Sequence, residues 1–121
     1  APEEKDVEFR NAPNGFCGLE TSLGVVLTDL YHTGIFDLNT VINKMSCEPA
    51  KVFKLEAGTL KEGAKADITI MDLNQEWTVD SSKFYTRGKF TPYEGKACKG
   101  KAVATILGGK FVMKDGVVIC K

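Results

Sequence analysis

The sequence lacks the features that mark several large classes of protein. Its 121 residues carry sixteen Lys and Arg against sixteen Asp and Glu, so the formal net charge is zero. A neutral chain has no global field that attracts nucleic acid or an anionic membrane surface. Its apolar runs are a handful of residues long, far below the ~20 that a membrane-spanning helix needs. We therefore expect no nucleic-acid partner and no membrane association.

Histidines and closely spaced cysteines are scarce as well. His32 is the single histidine, and no CxxC pair occurs among the four cysteines, Cys17, Cys47, Cys98 and Cys120. Because a zinc site takes three or four protein ligands, we expect no metal site built from this chain alone. The cysteine density is too low for a small secreted disulfide scaffold. This favours free thiols in a cytoplasmic protein.

Local motifs for catalysis are also missing. The sequence contains neither a GxSxG nucleophile elbow nor a GxxxxGK phosphate loop. The acidic residues within 1–11 alternate with basic ones, which favours a solvated, extended or mobile lead-in. We interpret Glu20 as a first-turn residue that favours the helix dipole, and His32 as a helix-end residue. The basic stretch within 87–101 is interpreted as a solvated loop.

The residues that are present predict helices followed by antiparallel strands. From Leu19 to Tyr31, apolar residues recur with the spacing of one helical face, over about four turns. Asp37 resembles an N-cap for a second helix, and Pro49 fits the first turn of a third, so residues 18–54 are predicted to be helical in three pieces. Strands are predicted at 66–73, 76–80, 101–107, 110–114 and 117–120. Tight hairpin turns are expected at 108–109 and 115–116.

The loop ahead of the first long helix is unusually stiff. Pro13 fixes φ, Asn14 tolerates left-handed geometry, and Gly15 removes side-chain bulk. A ligand can approach such a backbone closely, and the helix N-terminus beyond Gly18 favours an anion such as a carboxylate or phosphate. The same residues also suit a plain turn followed by a helix cap.

Longer segments of the sequence resemble class I dihydroorotases. The segment APNGFCGLETSLGVVLTDL (12–30) is similar to the stretch that follows their last barrel strand. MSCEPAKVFKLEAGTLKEGAKADITIMDL (45–73) and RGKFTPYEGKACKGKAVATILGGKFV (87–112) are similar to their later segments, whereas GTLKEGAKADITIMD (58–72) recurs broadly in amidohydrolases. The match departs at Phe90, where the family usually has asparagine.

The resemblance implies an α/β fold: the C-terminal end of a (β/α)8 TIM barrel, followed by strands of a small β-sandwich lobe. Residues 1–54 would supply the last barrel loop and outer helices, and residues 55–121 a segment of the β-sandwich. It implies the interconversion of N-carbamoyl-L-aspartate and dihydroorotate in pyrimidine biosynthesis, with zinc as cofactor. The two residues after Ala-Pro in the loop contact substrate in the family, which here are Asn14 and Gly15.

The resemblance further implies that the chain begins directly after the last metal-binding motif. Every zinc ligand and the catalytic aspartate would then lie upstream, this chain would hold no catalytic residue, and it would be inactive alone. Its expected partners are the substrate and the remaining N-terminal part of the same enzyme, with a homodimer or aspartate carbamoyltransferase as further candidates.

Three other interpretations stay open at this point. The parent protein is another cyclic amidohydrolase, such as an allantoinase or hydantoinase, or it is a non-catalytic dihydroorotase-like subunit that supports aspartate carbamoyltransferase. Alternatively, the 121 residues form a free-standing binding module whose helices need a partner to cover their apolar faces.

Overall fold

The computed structural model describes residues 2–119, which form helices followed by an antiparallel sheet, as the sequence predicts. The α-helices are α1 (Pro2–Lys5), α2 (Ser22–Val26), α3 (Leu38–Ile42) and α4 (Glu48–Val52). The strands are β1 (Ile68–Thr78), β2 (Ala97–Leu107), β3 (Lys110–Lys114) and β4 (Val117–Val118). Cys120, at the end of the last predicted strand, lies outside the described residues.

The first long helix is shorter at its start than predicted. The Gly18 carbonyl accepts the N–H groups of Thr21 and Ser22, so a turn precedes the helix and leaves Leu19 88% exposed. After α2 the chain continues directly into a π-helical segment, Leu27–Tyr31. On the predicted apolar face Leu27 is fully buried and the other apolar residues of that face from Leu23 to Tyr31 are half-buried, so Leu19 is the member of the face that stays exposed.

The predicted second and third helices form one continuous run. A π-helical segment, Asn43–Cys47, joins α3 to α4, and Cys47 keeps helical backbone angles at the junction. Pro49 lies in the first turn of α4, where its missing N–H is tolerated. The start of the run is as predicted, because the Asp37 carboxylate accepts the N–H of Thr40 at 2.7 Å.

The four strands form an antiparallel meander in the order β1-β2-β3-β4. The two strands predicted at 66–73 and 76–80 are one strand, because their polar junction bulges out without ending the strand. The Asp72 carboxylate accepts the N–H of Asn74 at 2.8 Å, and the β1–β2 register shifts between Asp72 and Glu76. Strand β2 begins at Ala97, four residues ahead of the predicted start.

Both predicted hairpin turns are present. Gly108 and Gly109 have φ angles of 55° and 79°, and Asp115 and Gly116 have φ angles of 51° and 75°. Positive φ at both central residues is the geometry that matches the twist of antiparallel strands. The turns therefore fix the register of β2, β3 and β4.

The α2 segment packs on the sheet through two glycines. A Cβ on Gly24 would lie 2.5 Å from the Trp77 ring, and a Cβ on Gly100 would lie 2.6 Å from a methyl group of Leu27. Thr28 lies at the same contact: its hydroxyl donates to the Gly24 carbonyl at 2.6 Å and accepts the Lys99 N–H at 2.9 Å. The helix can approach the sheet this closely because the two glycines carry no side chain.

Replacing Gly100 with alanine is expected to lower the free energy of unfolding by about 3 kcal/mol, since strain and overpacking add. Its φ of +104° is unfavourable for any other residue, and the new methyl group would collide with Leu27. Denaturant or thermal unfolding measures the loss. Gly109→Ala is the matched control, because Gly109 has φ of +79° and open space around it. Equal losses in the two variants would contradict the close helix–sheet contact.

Two further observations concern the state of the cysteines and the length of the helices. Cys17, Cys47 and Cys98 are free thiols, with Cys98 buried in a core cluster that also contains Val79 and Phe84. None of the helices within residues 2–119 has the length and apolar character needed to span a bilayer.

Candidate functional site

The predicted substrate-contacting pair, Asn14 and Gly15, lies at an exposed bend of the loop formed by residues 12–18, which we call the candidate loop. Gly15 has φ of +91°, a conformation that favours glycine, and a Cβ there would meet no atom within 4 Å. In the part of the chain that the structure describes, the backbone N–H groups of Asn14 and Gly15 donate no hydrogen bond. The loop therefore carries two unused hydrogen-bond donors at exposed residues.

Lys5 binds two backbone carbonyl groups of the candidate loop. Its ammonium donates to the carbonyl oxygen of Pro13 and, at 2.8 Å, to that of Gly15, and it lies 5.6 Å from the centroid of the Phe90 ring. The interpretation of residues 1–11 as an extended or mobile lead-in was wrong here, because α1 carries Lys5 to the loop. Sequence reasoning missed Lys5, since no local pattern pairs residues ten positions apart.

The other side of the candidate loop rests on the connection between β1 and β2. The Cys17 N–H donates to the Phe90 carbonyl at 2.9 Å, and the Phe16 ring meets the Tyr93 ring edge-on at 6.2 Å. Cys17 also packs closely on Gly88, where a Cβ would lie 2.5 Å from its sulfur. We call residues 84–90 the support segment. It holds the end of the candidate loop against the core cluster.

Glu20 has a different role from the predicted one. It precedes α2, and its carboxylate reaches the support segment, where it accepts the N–H groups of Tyr85 and Thr86, each at 3.0 Å. The Thr86 hydroxyl also donates to it at 3.0 Å. The interpretation of Glu20 as a helix-dipole residue was wrong, because the helix begins only after the turn at Gly18. Glu20 lies before the helix, and its side chain bonds to the support segment instead.

These contacts lower the pKa of Glu20. Partial burial acts in the opposite direction and raises it, but hydrogen bonds from Thr86 and Tyr85 outweigh burial. The positive charge of Lys89 adds to the lowering, so the pKa of Glu20 falls below its ordinary value of 4.5. The carboxylate therefore stays ionised in neutral solution.

The lowered pKa predicts a pH dependence of stability. A carboxyl whose pKa is lower in the folded state stabilises the fold above its unfolded pKa, and that stabilisation is lost as the pH falls through the folded value. The melting temperature of the unaltered protein should thus exceed that of Glu20→Gln near neutral pH, and the gap should close below pH 4.5. Thermal unfolding across this range measures the gap. A gap that does not change with pH would show that the Glu20 charge is unimportant.

His32 and two lysines of the basic stretch also bond to other parts of the protein. The His32 Nε2 atom lies 2.8 Å from the Leu73 carbonyl oxygen, which ties the end of the π-helical segment to β1. Among residues 2–119, no group of three or more His, Cys, Asp or Glu side chains is arranged to hold a metal ion. In the basic stretch, Lys89 donates to the Phe84 carbonyl and Lys96 pairs with Asp29 at 2.9 Å.

Two grooves lie on the sheet, and the larger one reaches Glu20 and Tyr85 beside the candidate loop. One, of about 860 Å³, runs between α2 and the sheet, and Leu23, Trp77 and Met113 are among its lining residues. The other, of about 580 Å³, is polar and includes Asp72 and Lys101. Neither groove includes Asn14 or Gly15. The candidate loop therefore lines neither of these two grooves.

Comparison with known proteins identifies relatives that match more than nine-tenths of the chain. The dihydroorotase of Geobacter sp. (strain M21) is 46% identical over 115 residues, which are 95% of this chain and 27% of that protein. The dihydroorotase of Citrifermentans bemidjiense is 48% identical over 111 residues, 92% of this chain and 26% of that protein. This chain thus spans about a quarter of the length of the curated relatives that it matches.

A solved structure supports the same relationship. The L-hydantoinase (dihydropyrimidinase) from Arthrobacter aurescens superimposes with a TM-score of 0.87 at 36% identity, over 93% of this chain and 25% of that chain. The predicted fold class is confirmed, because this neighbour is a TIM-barrel amidohydrolase and the chain has the expected helices followed by antiparallel strands. The model of the amidohydrolase family matches residues 17–112, most of the sequence, and the chain belongs to that family.

Proposed function

We propose that this chain is the C-terminal part of a dihydroorotase, which interconverts N-carbamoyl-L-aspartate and dihydroorotate in pyrimidine biosynthesis. The observation that carries the proposal is the similarity to proteins named dihydroorotase over more than nine-tenths of the chain, at 46–48% identity. The similarity includes the candidate loop, whose geometry suits an anionic ligand. We place the protein in the cytoplasm.

The proposed role of the candidate loop is to bind substrate through its backbone. The N–H groups of Asn14 and Gly15 belong to exposed residues and donate no hydrogen bond within residues 2–119, and Lys5 occupies the carbonyl groups of Pro13 and Gly15. Backbone N–H groups bind carboxylate oxygens well and need no charged side chain to do so. Both dihydroorotate and carbamoyl-aspartate carry a carboxylate that can accept these donors.

The proposed zinc does not fit residues of this chain. Neither His32 nor any group of acidic and thiol side chains within 2–119 forms a set of three ligands. We therefore assign the zinc ligands and the reacting acid–base groups to the remaining part of the same enzyme. This chain contributes binding and support, and no catalytic residue.

The surface of the chain supports a large covered interface. Its accessible area is 9044 Å², whereas a compact protein of this mass exposes about 6,400 Å². The excess, roughly 2,600 Å², is several times the ~800 Å² that one partner loses in an ordinary protein interface. Exposed apolar residues occur on the helices, next to their ends and on the sheet, among them Leu19, Val52, Phe53 and Val117. We propose that the rest of the enzyme covers these surfaces.

We keep the proposed division of the chain, with residues 1–54 completing the barrel and residues 55–121 belonging to the β-sandwich. The helical segments end at Val52, and β1 begins at Ile68, on either side of that boundary. A homodimer and an aspartate carbamoyltransferase partner stay predictions.

A hydantoinase is the second candidate, favoured by the structural similarity to L-hydantoinase. The two candidates differ in substrate, since dihydroorotate carries a ring carboxylate that simple hydantoins lack. The test is to assay the full-length protein, loaded with zinc, on dihydroorotate, allantoin and a 5-substituted hydantoin. We expect turnover of dihydroorotate to exceed that of the other two. Preferred turnover of a hydantoin or of allantoin, or no turnover at all, would overturn the proposal.

A further inference from the structure

We infer that Glu20 is a positioning residue for substrate binding, because its carboxylate fixes the support segment on which the candidate loop rests. The inference rests on the proposed function only in taking the candidate loop as the substrate contact. Glu20 touches neither Asn14 nor Gly15 directly, so it would act through the segment it holds.

The first link joins Glu20 to the support segment. One carboxylate oxygen accepts the Tyr85 N–H, and the other accepts both the N–H and the hydroxyl of Thr86, all at 3.0 Å. These are hydrogen bonds to an ionised acceptor, which are stronger than those between neutral groups. They connect residues 65 and 66 positions apart and so fix one piece of irregular chain against another.

The second link joins the support segment to the candidate loop. Gly88 packs on the Cys17 sulfur, and the Phe90 carbonyl accepts the Cys17 N–H at 2.9 Å. The Phe90 ring lies beneath the Lys5 ammonium, which in turn donates to the Gly15 carbonyl. If the support segment shifts, the contacts on both sides of the bend at Gly15 shift with it.

The geometry argues against two simpler roles for Glu20, one as an acid or a base and one as a helix-dipole residue. Each oxygen of Glu20 already accepts a hydrogen bond from the protein, which ties the carboxylate to the support segment and favours a structural role over one as an acid or a base. The helix that follows begins at Ser22, and the Glu20 side chain is bonded to the support segment and not to that helix. A positional role requires that its loss weakens binding at the candidate loop.

The test uses Glu20→Gln in the full-length enzyme, with Glu48→Gln as the matched control. Glu48 also accepts two side-chain hydrogen bonds, from Asn43 and Lys44, but lies at the start of α4. Glutamine keeps one acceptor oxygen, so the support segment loses part of its anchorage without gaining a cavity. We expect KM for dihydroorotate to rise about tenfold with kcat changed less than about threefold, because ground-state positioning is lost. The control should keep both constants.

A second readout does not depend on turnover. The Cys17 amide is protected by the Phe90 carbonyl, so its hydrogen exchange reports the contact between the candidate loop and the support segment. Glu20→Gln should speed exchange at Cys17 as well as at Tyr85 and Thr86, and Glu48→Gln should not. Faster exchange at Tyr85 and Thr86 with no change at Cys17 would overturn the inference, and so would an unchanged KM. If the unaltered enzyme does not turn over dihydroorotate, the proposed function is overturned. The exchange result then decides the inference on Glu20 by itself.

Discussion

Gly15→Val in the full-length enzyme is expected to raise KM for dihydroorotate at least about tenfold, because one or two hydrogen bonds to a charged ligand are lost. A β-branched residue cannot hold φ of +91° without strain, so the bend would relax and turn the N–H groups of Asn14 and Gly15 away. The new side chain would also project into open space where the substrate is proposed to lie, since no atom lies within 4 Å of a Cβ there.

The matched control for this prediction is Gly63→Val. Gly63 has φ of +80°, open space around its Cβ position and an exposed place in the turn before β1. Both variants should lose similar stability, measured as the shift in melting temperature, because the backbone strain is similar. Only Gly15→Val should weaken substrate binding. A normal KM for Gly15→Val, or equal changes in KM for both variants, would remove the candidate loop from the substrate site.

The 121-residue chain on its own is expected to show no zinc-dependent hydrolysis of dihydroorotate. A zinc hydrolase uses the metal to lower the pKa of bound water and so form a nucleophile at neutral pH, and without the metal that nucleophile is missing. Within residues 2–119 the side chains needed to bind the metal are not grouped. The measurement is the rate of ring opening with added zinc, compared with the same amount of full-length enzyme.

Measurable zinc-dependent turnover by the isolated chain would contradict the division of roles proposed here. A matched sample with zinc and a chelator separates such turnover from spontaneous ring opening. Adding the remaining part of the enzyme as a separate polypeptide is expected to restore activity if the two parts associate through the apolar surfaces.

Elements governed by local chemistry could be predicted from the sequence. The Asp37 N-cap and the hairpins at 108–109 and 115–116 each depend on a few adjacent residues. In these places the conformational preference of glycine or the hydrogen-bonding reach of aspartate is enough to fix the backbone. The bend at Asn14–Gly15 belongs to the same group, and Gly15 has the positive φ that such a bend requires.

Elements governed by distant contacts could not be predicted. Leu19 is exposed because a turn precedes the helix, although ideal helical periodicity places this residue on the buried face. The π-helical segments were not predicted either. Periodicity assumes 3.6 residues per turn, and a π-helical turn breaks that assumption. The bulge near Asp72 likewise keeps polar residues inside a strand that the pattern divides in two.

The supports of the candidate loop were missed for the same reason. Lys5 reaches Gly15 from ten residues away, and Glu20 reaches Thr86 from sixty-six away. Single charged residues in a polar segment are usually solvated, so charge alone gives no signal for such a contact. For Glu20 the turn at Gly18 decides the direction of the side chain, and that turn is visible only in the structure.

The most direct measurement is a structure of the full-length enzyme with zinc and dihydroorotate bound. We expect the substrate carboxylate to lie within hydrogen-bonding distance of the backbone at Asn14 or Gly15, and every protein ligand of the zinc to come from outside these 121 residues. A substrate that makes no contact with the candidate loop, or a zinc ion held by His32 or any other side chain of this chain, would contradict it.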